Sequence, residues 1–242
     1  RNVDLSPYAA DIDWMRGRIA KEDRALWDIL VETLSTGSNI RLLEWYRQSG
    51  GYQYLDHIDL SSGGVVIEGG VFDGEHTNAF SRLVGPKGRV YGFDPFGEEI
   101  IHKWSRADNM PENVIIVPKA IWSRQAKLYF VDDGAGSTVT STPTLGGVEV
   151  DGVSVDEFVQ QNGLSRVDLI KLDVEGAEEH VLRGAEETIL KHRPQMAISI
   201  YHEISHFFEL PRMVDHWMPD AQFRLKTYSP SPMDTILYVR PN

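Results

Sequence analysis

The sequence predicts a doubly wound α/β fold: a mostly parallel, seven-stranded sheet with helices on both faces, a C-terminal antiparallel hairpin and helices at the N-terminus. Three observations carry this. First, two apolar runs end in charge, Val65-Val66-Ile67-Glu68 and Val167-Asp168-Leu169-Ile170-Lys171-Leu172-Asp173, and each leads through glycine into an amphipathic stretch. That pattern reads as a buried parallel strand, a tight turn and a helix N-terminus. Second, strand-like and helix-like segments alternate from residue 65 onward, as repeated βα units do. Third, the last two strand-like runs are joined through Ser229-Pro230-Ser231-Pro232, too short a link for a crossover, so they pair antiparallel.

Residues 1–60 read as a helical N-terminal extension. Leu26, Trp27, Leu30, Val31 and Leu34 stripe an amphipathic helix over 21–34, which breaks near Gly37. A second helix over 40–48 stops at Gly50-Gly51. Residues 61–242 form the main domain. Its strands are expected at 65–68, 89–93, 114–118, 167–172, 195–201, 223–227 and 234–239, with helices at 75–84, 98–106, 154–161, 177–192 and 206–217. Segments 128–131 and 137–140 read as a short β excursion, with Gly134 to Thr138 as a hairpin turn or a flap. Gly85-Pro86-Lys87-Gly88 is a turn, and Pro95 ends the second strand by removing an N–H. Phe207, Phe208, Trp217 and Met218 read as core rather than as a substrate cage.

Composition narrows the partners. A net charge of −12 argues against nucleic acid or an anionic membrane, both of which require a cationic surface. Cysteine is absent, which excludes disulfides, thiolate metal sites and a Cys nucleophile. No window approaches the roughly 18 consecutive apolar residues of a membrane helix. The start, Arg1-Asn2-Val3-Asp4, has no signal-peptide apolar core, and the missing Met suggests trimming; cytoplasmic location is the default expectation.

The turn Glu68-Gly69-Gly70-Val71-Phe72-Asp73-Gly74-Glu75-His76-Thr77 carries the first chemical signal. It breaks the G-x-G-x-x-G register at Val71, and no phosphate-binding G-x-x-x-x-G-K-[ST] is present. Glu68, Asp73 and Glu75 surround it with carboxylates, which repel a diphosphate and suit a cationic ligand such as S-adenosylmethionine. The plainer reading is that Glu68 pairs with a nearby Lys or Arg while Asp73 and Glu75 favour the helix N-terminus. For Glu68 beside two glycines the ligand reading is preferred. Asp94 ends the second strand 26 residues after Glu68. A carboxylate there accepts ribose hydroxyls, and a helix-capping Asp is the alternative.

The run Ile170-Lys171-Leu172-Asp173-Val174-Glu175-Gly176-Ala177-Glu178 closely resembles the hallmark of FkbM-type methyltransferases. Val181-Leu182-Arg183-Gly184-Ala185, Arg193-Pro194 and Asp234-Thr235-Ile236-Leu237-Tyr238 resemble that family too, as do Glu68-Gly69-Gly70 with Gly74 and Thr77, and Phe93-Asp94-Pro95. The resemblance covers about residues 61–242 and implies a Rossmann-like methyltransferase fold that uses S-adenosylmethionine. In it, Glu68, Gly69 and Gly70 hold the methionine part, with Phe72, Asp73 and Thr77 in the same cofactor loop. Asp94, with Pro95 and Phe96, takes the ribose, and Ala120 and Ile121 line the adenine edge. Asp173 faces the methyl group. The family more often carries Glu where Asp94 stands, one methylene longer.

Three candidates serve catalysis. Asp173 accepts a proton, orients the substrate or binds a divalent cation; alternatively Lys171 merely neutralises the cluster and Glu178 caps the helix. His202, at the end of the fifth strand, takes a proton from an alcohol or phenol, with Glu203 orienting it or joining Asp173 around a metal; a local hydrogen bond is the alternative. His76, His102, His206 and His216 read as surface or packing residues. The expected reaction is methyl transfer to a hydroxyl oxygen of a small molecule or sugar. The alternatives are a nicotinamide-dependent oxidoreductase and a non-catalytic cofactor-binding protein.

Overall fold

The computed structural model describes residues 2–107, 110–132 and 137–242. The described elements, in chain order, begin with α1 (Ala9–Arg18), α2 (Arg24–Thr36), α3 (Ile40–Gln48), β1 (Val65–Gly69), α4 (Glu75–Val84), β2 (Arg89–Phe93), α5 (Gly97–Ala107), β3 (Val114–Val117), β4 (Ala120–Ile121) and β5 (Ala126–Asp132). They continue with β6 (Ser137–Thr140), β7 (Val148–Val153), α6 (Val155–Gln161), β8 (Leu169–Leu172), α7 (Glu178–Arg183), α8 (Glu186–His192), β9 (Gln195–Ser199), α9 (His206–Trp217), β10 (Gln222–Thr227) and β11 (Thr235–Arg240). The chain gathers into two compact units: residues 59–194, and residues 1–58 together with 195–242. This division cuts across the 61–242 segment expected from the sequence. Among the described residues, no helix is long and apolar enough to cross a membrane.

In the unit of residues 59–194, four parallel strands run in the order β8-β1-β2-β3. Their side chains are almost wholly buried along β1, β2 and β8, as a sheet covered on both faces requires. The register sets Glu68 opposite Lys171 on one side and Gly92 on the other. A second, four-stranded sheet has the order β4-β7-β5-β6. Its inner residues Trp122, Leu128 and Val150 pack with Ala120 and Ala177.

In the other unit, β9, β11 and β10 pair antiparallel. The N-terminal helices are tied into it by charge and by rings. The Asp23 carboxylate takes two bonds from Arg224, at 2.6 and 3.0 Å, and one from the Leu225 N–H at 2.9 Å. Phe208 stacks on Tyr8 at 4.3 Å and meets the edge of Trp27 at 5.9 Å. Phe207, Phe208 and Met218 are buried, as core residues.

Several elements depart from the expectation. Helix α1 has almost no apolar stripe, its Asp and Arg residues being interspersed among Ala9, Ala10, Ile12, Trp14 and the buried Met15, so periodicity does not disclose it. The β excursion is larger than expected, because β4 and β7 join it; β4 is only two residues long, and β7 interleaves Glu149 and Asp151 with valines. The expected turn at Gly134 to Gly136 lies outside the described residues. The single helix expected over 177–192 is two, α7 and α8, parted at Gly184-Ala185. The chain at the break lies hard against other backbone: a Cβ on Gly184 would run into the Trp122 carbonyl oxygen and lie 2.8 Å from Ser123 Cα. Gly184→Ala is therefore expected to lower stability by about 1–3 kcal/mol, through overpacking against backbone that cannot retreat. A fall in the urea midpoint without a change in slope checks this.

Candidate active site

The cleft lies where β1, β2 and β8 end. It measures about 380 Å³ and is lined by Gly70, Phe72, Phe93 to Phe96, Glu99, Ile100, Ala120, Ile121, Phe130, Val139 and the run Asp173 to Glu175 with Ala177. This is the carboxyl edge of an open parallel sheet, where such folds bind ligands.

The first turn is built from inside. Glu68 is wholly buried, and its Oε2 accepts the Thr77 hydroxyl at 2.6 Å. Its Oε1 stands 3.7 Å from Lys171 Nζ. The Lys171 ammonium also donates to the Gly70 carbonyl at 2.6 Å and the Gly69 carbonyl at 3.3 Å, so one cation grips both the carboxylate and the turn. Full burial pushes the Glu68 carboxyl up from its ordinary range, against the pull of Lys171 and of the Thr77 bond. The glycines also answer to the protein. A Cβ on Gly70, whose φ is +80°, would strike the Asp173 carbonyl, and one on Gly69 would lie 2.8 Å from Val174. Their missing side chains admit neighbouring backbone and side chains, rather than a ligand directly.

Asp94 works on the same turn from the second strand. Its Oδ2 accepts the N–H groups of Val71 and Phe72, both at 3.2 Å, and Oδ1 accepts the Phe96 N–H at 2.9 Å. Asp94 therefore both lines the cleft and shapes two loops. Asp73 accepts the Glu75 N–H at 3.0 Å, at the start of α4, and is exposed. Asp173 is half-buried in the cleft lining, its N–H on the Gly69 carbonyl at 3.1 Å. Glu178 is buried and accepts the Val174 N–H at 3.0 Å, which folds the segment between strand and helix. The positive φ values of Glu175 and Gly176 complete that bend.

Against the expected set, Gly70, Phe72, Asp94, Pro95, Phe96, Ala120, Ile121 and Asp173 line one cleft. Glu68, Gly69, Asp73 and Thr77 do not line it; they hold the turn or sit beside it. The ring of carboxylates expected from Glu68, Asp73 and Glu75 is replaced by another, Asp94, Glu99, Asp173 and Glu175. No lysine or arginine is among the described residues that line the cleft. Periodicity offers no hint of Glu99 and Phe130, which enter from α5 and from the β excursion. Phe130 meets Phe96 edge to face at 4.8 Å.

A family model described as the methyltransferase FkbM domain matches residues 68–225. The chain belongs to that family. Among solved structures, this FkbM chain is similar to methyltransferase FkbM from Methylobacillus flagellatus KT, with 19% identity and a TM-score of 0.76. That match covers 98% of this chain and 60% of the other, so the chain spans less than two-thirds of that protein's length. The shared fold is the Rossmann-like methyltransferase fold. More distant likenesses include Aeropyrum pernix fibrillarin in complex with natively bound S-adenosyl-L-methionine (12% identity, TM-score 0.47, covering 77% of this chain and 70% of that one). Another is a putative O-methyltransferase from Klebsiella pneumoniae (13% identity, TM-score 0.44, covering 94% and 99%). None of the curated proteins matches the chain.

The remaining expected residues of the FkbM chain, His202 and Glu203, follow β9 in the other unit, the first half-buried and the second exposed. Among the described residues, no group of three or more His, Asp or Glu is gathered to hold a metal ion. His76, read from the sequence as a surface or packing residue, is half-buried in α4. Burial and the Lys171 charge lower its imidazole, while Glu75, Asp173 and Asp73 pull the other way.

Two outcomes follow from the buried pair. Lys171→Met strands the Glu68 carboxylate and two carbonyls, and is expected to cost about 3–5 kcal/mol in urea unfolding. Adding Glu68→Leu is expected to recover part of that loss. The second concerns pH. Because the folded chain holds the Glu68 proton more tightly than the unfolded chain, this group favours folding below its ordinary value of 4.5. That contribution is lost as pH rises through the raised folded value. Gln cannot titrate, so the stability of Glu68→Gln relative to the parent is expected to climb with pH from 4.5 upward and then level off. Thermal melts of both proteins across that range measure it; a flat or falling difference refutes it.

Proposed function

We propose that this chain transfers the methyl group of S-adenosylmethionine to a hydroxyl oxygen of a small molecule or sugar. The observation that carries the reading is the make-up of the cleft among the described residues: four carboxylates, no lining lysine or arginine, and an apolar, aromatic stretch. Such a lining disfavours a diphosphate and favours a ligand that joins a purine to a cationic centre. Family membership and the fold point the same way.

Bound there, the donor would supply an electrophilic methyl group on a positively charged sulfur. The protein's share is position and proton. Phe96, Ala120, Ile121 and Phe130 offer an apolar surface for the purine, and Asp94 an acceptor for ribose hydroxyls, its Oδ1 retaining a lone-pair direction beyond the Phe96 N–H it holds. Asp173 is proposed to orient the acceptor hydroxyl or take its proton, and His202, with Glu203, to take or relay it. The acceptor oxygen forms the new bond to carbon, the carbon–sulfur bond breaks with its electron pair going to sulfur, and the proton passes to the base. Alignment supplies most of the acceleration in such a displacement. A divalent cation is not required by this scheme.

Titration calorimetry with S-adenosylmethionine, S-adenosylhomocysteine and NAD tests the donor. Binding of the first two, weakened in Asp94→Ala, is the expected result; preference for NAD would instead support a nicotinamide-dependent oxidoreductase. With hydroxylated small molecules and sugars as acceptors, Asp173→Asn and His202→Ala are each expected to lower turnover about 10²–10⁴-fold, His202→Ala while changing donor affinity little. Turnover equal to the parent would remove that residue from the chemistry.

A further inference from the structure

Phe72 combines two unfavourable conditions at the rim of the cleft. The residue is 86% exposed, although it lines the cleft. Its backbone sits at φ +54°, the left-handed region that side chains with a Cβ avoid. Neither condition serves the core. A surface Phe alone would need no explanation. A strained one held in place beside a ligand cleft is different, since such strain persists only where the surroundings impose it.

The surroundings that impose it are the functional residues themselves. Asp94 Oδ2 accepts both the Val71 and the Phe72 N–H at 3.2 Å. The Gly74 N–H closes the same turn on the Val71 carbonyl at 2.9 Å. The residue proposed to hold the ribose is thus the one that fixes the backbone beneath the exposed ring.

We infer that Phe72 is a donor-positioning residue: its ring closes over S-adenosylmethionine in the cleft, and Asp94 holds the backbone that presents the ring there. An aromatic ring suits this ligand because its faces cover a purine or ribose and attract a sulfonium. Closing also removes the ring and the reacting groups from water together. The inference rests on the donor proposed above.

The test is calorimetric titration of the parent, Phe72→Ala, Phe72→Leu and Phe72→Trp with S-adenosylmethionine, alongside the melting temperature of each protein without ligand. Expected are binding by the parent, a loss of about tenfold or more in Phe72→Ala, a smaller loss in Phe72→Leu and near-parental binding in Phe72→Trp. The ligand-free melting temperature is expected to stay near that of the parent, because the ring packs on little. Equal affinity of Phe72→Ala and the parent would overturn the inference and leave the donor assignment standing. A ligand-free melting temperature that falls in step with affinity would assign Phe72 to the fold and also overturn it. If the parent itself fails to bind the donor, both the inference and the assignment fall.

Discussion

The contact between Lys171 and Glu68, on adjacent parallel strands, is the constraint from which the cleft is built. Both side chains are buried, so neither charge has water to satisfy it. Their attraction must offset a desolvation cost of several kcal/mol per ion. What the pair returns is shape more than stability. The same ammonium that faces Glu68 holds the Gly69 and Gly70 carbonyls, and the same carboxylate holds Thr77 in the first turns of α4. Strand end, glycine turn and following helix are thereby locked to the neighbouring strand, which ends in Asp173.

With that lock in place, the exits of β1 and β8 become interdependent. Gly70 lies so close to the Asp173 carbonyl that only glycine is accommodated, and the Asp173 N–H returns to the Gly69 carbonyl. Asp94 adds the third strand end by fixing Val71 and Phe72. A displacement of any one of these loops would move the others. This explains how a cleft bounded by turns retains a defined geometry.

Carboxylates still line the cleft, but they differ from those the turn suggested. Glu68 is spent inside the protein, and Asp73 on a helix start. The carboxylates that face the cleft come from the ends of the second and fourth core strands and from α5 and the bend after β8. A lone carboxylate beside glycines in a sequence says that charge is near; which way it points depends on a partner more than a hundred residues away. The N-terminal helices show the same dependence. Asp23 is an ordinary polar residue until Arg224 and the Leu225 N–H converge on it.

The sequence by itself determined the α/β class, the position of most core strands and long helices, and the family, because apolar runs, turn residues and the Lys171–Glu178 motif act locally and are visible along the chain. It also marked Gly70, Phe72, Asp94, Ala120, Ile121 and Asp173, since strand ends follow from periodicity and family resemblance. Tertiary structure alone decided that Glu68 and Thr77 face inward, that Glu99 and Phe130 reach the cleft, and that Gly184 lies against the backbone of Trp122 and Ser123. Each of those outcomes is a contact between residues far apart in the chain, or a steric limit set by another element, and neither leaves a periodic trace in composition.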